Sequence, residues 1–275
     1  MEDKVRLITD KINKVDGSQY IKGILVGCAV TCGITIVVLI TYLSILLHKH
    51  NLYLYKISKM ELNNDAIFQV VGPSGSGKTH FVCKLLQNQD KFKNKFNQIY
   101  WHQGGGGENG LTKNEFCKLK GIKVINGFDE NWTSRLRKGD VIVIDDLFQE
   151  ANKETEFTNL FTKIARHREV TVIFITQNLF HQGGHHRTRN LNVHYLVLFK
   201  NPRDQTVIDF VARQAYPHDK KYLVDSFHDA TKNAHGYIFI DFTQQCPDDE
   251  RVKTDIFNAK GITLYKQLNG INKNK

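Results

Sequence analysis

The sequence predicts an α/β fold, a mostly parallel sheet with helices on both faces, preceded by one amino-terminal transmembrane helix. Two uninterrupted apolar runs, VIVI at 141–144 and TVIFI at 171–175, are typical of strands that are covered on both sides. Apolar residues at helical spacing follow such runs, and this alternation of strands and helices is characteristic of parallel sheets. A third observation, the uncharged segment from Gly23 to Leu47, predicts the membrane helix.

Length and composition indicate a folded protein with one sizeable domain. The chain has 275 residues, of which 41% are hydrophobic; this proportion is enough to bury a core and excludes a disordered chain. The net charge is +10, from 38 Lys and Arg against 28 Asp and Glu. A basic chain favours an anionic partner such as nucleic acid or a membrane surface, and charge alone does not choose between them.

The amino-terminal segment is expected to consist of a tail at 1–22 and a transmembrane helix at 23–47, followed by a linker at 48–64. The helix would be about 37 Å long, which is sufficient to cross a bilayer with some tilt. A buried core helix is the alternative. The tail carries more lysine and arginine than the linker, so the positive-inside tendency would keep the tail inside, and the orientation of the helix stays open.

The segment GPSGSGKT, from Gly72 to Thr79, satisfies every fixed position of the phosphate-binding loop pattern GxxxxGK[ST]. A predicted strand at 66–71 precedes it and a predicted helix follows it, which is the context that such a loop requires. Its glycines let consecutive N–H groups point inward at the positive end of the helix. The residues expected to bind nucleotide are Gly72, Pro73, Ser74, Gly75, Ser76, Gly77, Lys78 and Thr79.

This loop predicts a P-loop NTPase domain of the RecA/ASCE-like class, at 65–257, that uses ATP and Mg²⁺. Lys78 would reach the β and γ phosphates and act in catalysis, and the Thr79 hydroxyl would hold the metal. A serine- and glycine-rich turn without a ligand is the alternative. The remaining residues, 258–275, are rich in lysine and are predicted to form a loose basic tail.

Two acidic residues, Asp145 and Asp146, end the apolar run at 141–144. At the carboxyl end of a buried strand, such residues can reach a metal held by the phosphate loop, as in a Walker B element. Asp145 is the predicted metal ligand, together with Thr79. Asp146 is expected to orient the attacking water as a general base. The alternative is a turn that merely ends a strand.

The next predicted strand, 171–175, delivers Gln177 to the same edge of the sheet. An amide there can hydrogen-bond both a γ-phosphate and the lytic water, so we assign Gln177 a sensor role, against the alternative of an ordinary polar strand end. The window from Val170 to Arg203 contains no Asp or Glu but includes Arg187. Such one-sided charge favours contact with phosphate, either of DNA or of a neighbouring subunit's nucleotide.

The rest of the chain continues the alternation of strands and helices. Further strands are predicted at 98–101, 123–125, 195–199 and 237–241, the last of them closing a parallel sheet. Helices are predicted at 147–166, after a cap at Asp204, and around 223–227.

In this order, GPSGSGKT, VIVIDDL, VIFITQNLF and LVLFKNPRD resemble the motifs of the DNA-packaging ATPases of the FtsK/HerA superfamily, those of Maverick/Polinton elements, adintoviruses and poxviruses in particular. The resemblance covers about 67–241 and is most specific between 173 and 203. Two features depart from the family pattern. The viral packaging ATPases are generally soluble, which contrasts with the segment at 23–47, and Asp146 stands where many relatives have glutamate.

The resemblance implies an ATP-driven motor, generally a homo-oligomer in the form of a hexameric ring, that moves double-stranded DNA into a preformed capsid. Capsid or portal proteins would then be partners, and the membrane would be contacted through 23–47. In such rings the nucleotide lies between subunits and an arginine from the neighbour completes the site. Arg187 and Arg203 are the two candidates for this catalytic arginine.

Two other functions stay open. The chain would be a membrane-tethered ATPase that translocates protein or single-stranded DNA, or a membrane scaffold that binds nucleotide as a structural switch. The complete set of Asp145, Asp146 and Gln177 argues against the scaffold. We expect a membrane-associated protein of the host cell or virion, with its ATPase domain on the cytosolic or nucleoplasmic side, where ATP is available.

Overall fold

The computed structural model describes residues 52–57, 60–104, 121–127, 132–147, 159–179 and 192–267. All of them belong to one compact unit, Leu52–Lys275. The predicted tail at 1–22 and the predicted transmembrane helix at 23–47 lie outside the described residues. Within the described ranges, no helix combines the length and the apolar character needed to cross a membrane.

The described residues form ten strands and four α-helices. The strands are β1 (Leu52–Ile57), β2 (Ile67–Val71), β3 (Ile99–Gln103), β4 (Ile122–Asn126), β5 (Val141–Asp145), β6 (Thr171–Thr176), β7 (Tyr195–Phe199), β8 (Tyr237–Asp241), β9 (Val252–Thr254) and β10 (Ile262–Gln267). The helices are α1 (Lys78–Gln87), α2 (Ala165–His167), α3 (Thr206–Ala215) and α4 (Lys220–Ala230). Every strand that the sequence predicts is observed within two residues of its expected ends. Of the helix predicted at 147–166, Leu147 is described and is not helical, and 148–158 lie outside the described residues. At the carboxyl-terminal end a π-helical turn, Leu160–Ile164, precedes α2.

All ten strands belong to one sheet, in the order β1-β10-β9-β8-β7-β2-β6-β5-β3-β4. The six strands from β7 to β4 in this order run parallel, which confirms the mostly parallel α/β fold. Helices cover both faces. On β2, Phe68 and Val70 pack on one face in the cluster that contains α1, whereas Ile67 and Val71 pack on the other face with α3 and α4.

The prediction that 237–241 closes a parallel sheet was wrong, because β8 pairs antiparallel with β7 and two more strands follow it. Two helices, α3 and α4, connect β7 to β8, and they return the chain to the edge that it left. His235, at the end of this connection, lies beside the phosphate loop, where its Nδ1 is 3.1 Å from the Ser76 carbonyl oxygen. From that edge β8 can only run antiparallel to β7.

The expected linker at 48–64 and the expected loose tail at 258–275 also contain strands. β10 pairs antiparallel with both β1 and β9, so the two ends of the described domain join the same side of the sheet. Ile262, Leu264 and Tyr265 are buried in this strand. Burial of these apolar side chains outweighs the high lysine content on which the prediction of a loose tail was based.

Candidate nucleotide-binding site

The phosphate loop connects β2 to α1 at the carboxyl edge of the parallel strands. Gly75 and Gly77 have φ angles of 76° and 103°, a left-handed conformation that glycine adopts without steric cost. Gly72 is required for a different reason: a Cβ atom there would lie 2.7 Å from the Cβ of Phe199, on β7. The glycines therefore allow a tight loop that sits directly against the neighbouring strand.

The loop and the first turn of α1 carry several polar groups that can bind an anion. The residue before α1 is Gly77, which has no side chain to cap the first turn, and the leading N–H groups have no acceptor within the helix. In the described part of the chain, the buried Oγ atom of Ser76 has no hydrogen-bond partner. Lys78 Nζ donates to the carbonyl oxygens of Gly72 and Pro73, at 2.7 and 2.9 Å. Burial lowers the pKa of Lys78, and the charges of Asp145 and Asp146 oppose that shift.

The metal ligands that the sequence predicts lie together. Strand β6 separates β2 from β5, and the register pairs Val71 with Thr176 and Asp145 with Ile175, so β2 and β5 end at the same level. The Thr79 hydroxyl is close enough to the Asp145 carboxylate to lower its pKa. The structure thus places the hydroxyl at the start of α1 beside the carboxylate at the end of β5.

The environment of Asp145 raises its pKa to about 6. Burial is the largest cause and the charge of Asp146 adds to it, whereas Lys78, Trp101 and Thr79 lower the pKa. The buried indole N–H of Trp101 has no hydrogen-bond partner among the described residues. A carboxylate whose pKa is raised mainly by burial is a site in which a bound cation would compensate a charge that is costly to bury.

Asp146 and Gln177 form a direct pair. Gln177 Nε2 donates to Asp146 Oδ2 at 2.7 Å, and both side chains are exposed at the sheet edge. Asp146 has a φ angle of 55°, a left-handed conformation that asparagine and aspartate tolerate better than most residues. Its backbone N–H donates to the Ile175 carbonyl at 3.2 Å, which holds it against β6.

Of the two candidate arginines, the structure describes Arg203. Arg203 lies in the exposed turn between β7 and α3, at the same sheet edge as the phosphate loop. Its backbone N–H donates to the Asn201 side chain at 3.1 Å. Arg187 lies outside the described residues. An exposed arginine at this edge is available to a neighbouring molecule.

Two residues at the site were missed by the sequence analysis. Trp101 belongs to a predicted strand, but only the pairing of β3 with β5 brings its indole to Asp145. His235 approaches the phosphate loop through Ser76 from a turn 159 residues away along the chain. No local pattern marks either residue, because both contacts depend on which strands become neighbours.

These residues fit a magnesium nucleoside triphosphate. The leading N–H groups of α1, the Ser76 hydroxyl and Lys78 suit phosphate oxygens. Thr79 and Asp145 supply the oxygen ligands that Mg²⁺ prefers. Asp146 and Gln177 stand next to this metal site and can bind a water molecule.

No family model and no curated protein matches the chain. Solved structures similar to it include B204, the DNA-packaging ATPase from Sulfolobus Turreted Icosahedral Virus, at 14% identity and a TM-score of 0.47, covering 70% of this chain and 98% of that chain. A second similar structure is that of the genome packaging NTPase B204 from Sulfolobus turreted icosahedral virus 2 in complex with sulfate. It has 13% identity and a TM-score of 0.45, and the match covers 70% of this chain and 96% of that chain. Its complex with ATP-gammaS is 14% identical with a TM-score of 0.39, covering 70% and 98%.

Proposed function

We propose that the chain is an ATPase motor that translocates double-stranded DNA and packages a viral or transposon genome into a capsid. The observation that carries the ATPase assignment is the arrangement of Lys78 and Thr79 beside Asp145 and Asp146, with one strand, β6, between the two elements. A loop that merely turned the chain would need neither the half-buried carboxylate nor the hydroxyl beside it.

In the proposed mechanism the phosphate loop binds the triphosphate and Thr79 with Asp145 holds Mg²⁺, which neutralises charge on the phosphate oxygens when it is bound. Lys78 already lies across the loop on two carbonyl oxygens, so its ammonium group is oriented before the substrate arrives. Ionised Asp145 is the form that can bind the metal.

Hydrolysis is assigned to the pair formed by Asp146 and Gln177. Asp146 accepts a proton from the attacking water, and Gln177 holds its carboxylate through the 2.7 Å hydrogen bond. The amide oxygen of Gln177 can accept a second hydrogen bond, which would orient the same water. Both side chains are exposed, so water reaches them directly.

We further propose that six copies of the chain assemble as a ring, by analogy with the family that its motifs resemble, and that an arginine of one copy completes the site of the next. The exposed position of Arg203 at the sheet edge supports it as the candidate, and Arg187 stays the second candidate. Double-stranded DNA would pass through the ring, and capsid or portal proteins and a membrane contact through 23–47 belong to the same proposal.

The choice of DNA as cargo is supported by the net charge of +10, by the acid-free window from Val170 to Arg203 and by the resemblance of four sequence motifs to packaging ATPases. The test is ATP turnover by the full-length chain without DNA, with linear duplex DNA and with single-stranded DNA. We expect duplex DNA to stimulate turnover most. Equal rates with and without DNA would contradict the motor, and stronger stimulation by single strands would favour the membrane-tethered translocase.

A further inference from the structure

A cavity of about 600 Å³ opens beside the phosphate loop, on the side away from Asp145. It is bounded by the first turns of α1, by the ends of β7 and β8, and by the segment that follows β9. Its volume is within the range of about 300–1,000 Å³ that is usual for small-molecule sites. The residues that line it include Lys84, Phe199, Tyr237, Asp255, Phe257 and Asn258.

The position of this cavity relative to the phosphate loop follows from the strand order. β2, which leads into the loop, has β6 and β5 on one side and β7 and β8 on the other. Asp145 and Gln177 stand on the first side, whereas Phe199 and Tyr237 line the cavity on the second side. A triphosphate in the loop with its metal-bound end toward Asp145 has its other end directed toward the cavity. In a nucleoside triphosphate, that other end carries the base.

The cavity wall is aromatic. Phe81 packs against Tyr237 and Phe257, with ring centroids 4.8 and 5.2 Å apart. Phe257 is only half-buried, and the exposed Lys84 places Nζ 5.2 Å from its ring centroid. Both Lys84 and Phe257 line the cavity, and the lysine that lies over this ring is a long, exposed side chain that can move aside. Such a face is suited to stacking with a base.

Polar groups lie at one end of the same wall. Asp255 and Asn258 form a turn in which Asn258 N donates to the Asp255 carbonyl at 2.8 Å, and both side chains are exposed. The Asn258 Oδ1 accepts a hydrogen bond from Lys260 N at 2.9 Å, which leaves its NH₂ group as the available donor. A carboxylate acceptor beside an amide donor matches the amino group and adjacent ring nitrogen of adenine.

We propose that this cavity is a nucleobase subsite in which the adenine ring of ATP stacks on Phe257, directs its amino group to the Asp255 carboxylate and accepts a hydrogen bond from the Asn258 NH₂ group at the adjacent ring nitrogen. This inference rests on the proposed ATPase function and adds to it the substrate's base and the residues that select it. The experiment separates base from phosphate by comparing ATP, GTP and CTP with inorganic tripolyphosphate, which can occupy the loop but has no base.

The measurement is the dissociation constant of each ligand for the full-length chain by calorimetry, with Mg²⁺ present. We expect ATP to bind more tightly than CTP and tripolyphosphate. Phe257→Ala should weaken ATP binding about tenfold, the loss of one stacking contact, and leave tripolyphosphate binding unchanged. Phe257→Leu, which keeps an apolar side chain against Phe81 but lacks the ring, should give the same result if the alanine variant does not fold. Phe210→Ala removes an exposed phenylalanine on α3 that does not line the cavity and is the matched control.

Three outcomes would overturn the subsite. The first is equal affinity for ATP, CTP and tripolyphosphate, and the second is a higher affinity for GTP than for ATP. The third is a loss of affinity in Phe257→Ala that is as large for tripolyphosphate as for ATP. In each of these cases the wild-type chain still binds a triphosphate, so the ATPase proposal survives. If the wild-type chain bound neither ATP nor tripolyphosphate, that result would contradict the proposed function itself, and the subsite with it.

Discussion

Gln177 Nε2 donates a 2.7 Å hydrogen bond to Asp146 Oδ2, and so joins the end of β6 to the end of β5. The two residues are 31 positions apart in the chain, and the register of β5 with β6 brings them together. Asp146 is held in a left-handed conformation at this point, which costs free energy of roughly 1 kcal/mol or more and is typical of functional sites. The pair is therefore the first place at which to test the proposed chemistry.

Asp146→Asn should lower ATP turnover by about 10²–10⁴-fold while leaving ATP affinity nearly unchanged, because the amide cannot accept a proton from water. Asparagine tolerates the left-handed backbone, so the fold should be retained. Asp146→Glu, which restores the longer acid of many packaging ATPases, should keep measurable turnover. Steady-state kinetics and a binding isotherm for the three proteins check this. Full activity of the asparagine variant would show that another residue activates the water.

Lys78→Ala should weaken binding of ATP and of tripolyphosphate by about 10-fold to 100-fold, since it removes a charged donor that lies across the phosphate loop. Lys138→Ala is the matched control. The Lys138 side chain is 75% exposed and pairs with Glu169 on the surface, so its loss should change neither affinity nor stability appreciably. Calorimetry on both variants provides the comparison. Similar affinities for the two variants would remove Lys78 from the site.

Asp145→Asn should stabilise the metal-free protein at neutral pH. Because its folded pKa is raised to about 6 from 3.8, the folded state binds a proton that the unfolded chain has released between these values. Stability of the wild-type protein therefore falls as the pH rises from about 4 to about 6 and stays lower above that. The asparagine variant, which cannot ionise, should be more stable by roughly 2–3 kcal/mol near neutral pH and equal to wild type below about pH 4.

Denaturant unfolding in the presence of EDTA, across this pH range, measures the difference. Addition of Mg²⁺ and nucleotide should reverse the order at neutral pH, since the carboxylate is then needed as a ligand. A constant difference between the two proteins at every pH would mean that Asp145 titrates normally.

Leu264→Ala tests whether 258–275 contains part of the folded sheet. Leu264 is fully buried in β10, so its truncation should lower the free energy of unfolding by about 2–5 kcal/mol. Lys260→Ala, at an exposed position just before the strand, should have almost no effect. Thermal unfolding of the two variants compares them. Equal melting temperatures would support the loose tail that the sequence analysis expected.

Prediction from sequence succeeded where the signal is local. The strands at 195–199 and 237–241 were located correctly because continuous apolar runs report burial directly. The direction of the strand at 237–241 was predicted wrongly, because a strand's direction depends on the path of the chain between strands. In the same way, the sequence analysis predicted a loose tail where the structure has β10. The lysine-rich composition of this segment carries no information about β1 and β9, the strands with which β10 pairs.

The amino-acid sequence by itself determined the phosphate loop and the acidic strand end, since glycine conformations and short apolar runs are properties of neighbouring residues. Only the tertiary structure decided that β6 lies between these two elements and that Thr79 meets Asp145. It also brought Trp101 to the carboxylate and Phe257 to the wall of the cavity. The physical reason is that pairing order follows from burying apolar faces across the whole sheet, a condition that no short stretch of sequence contains.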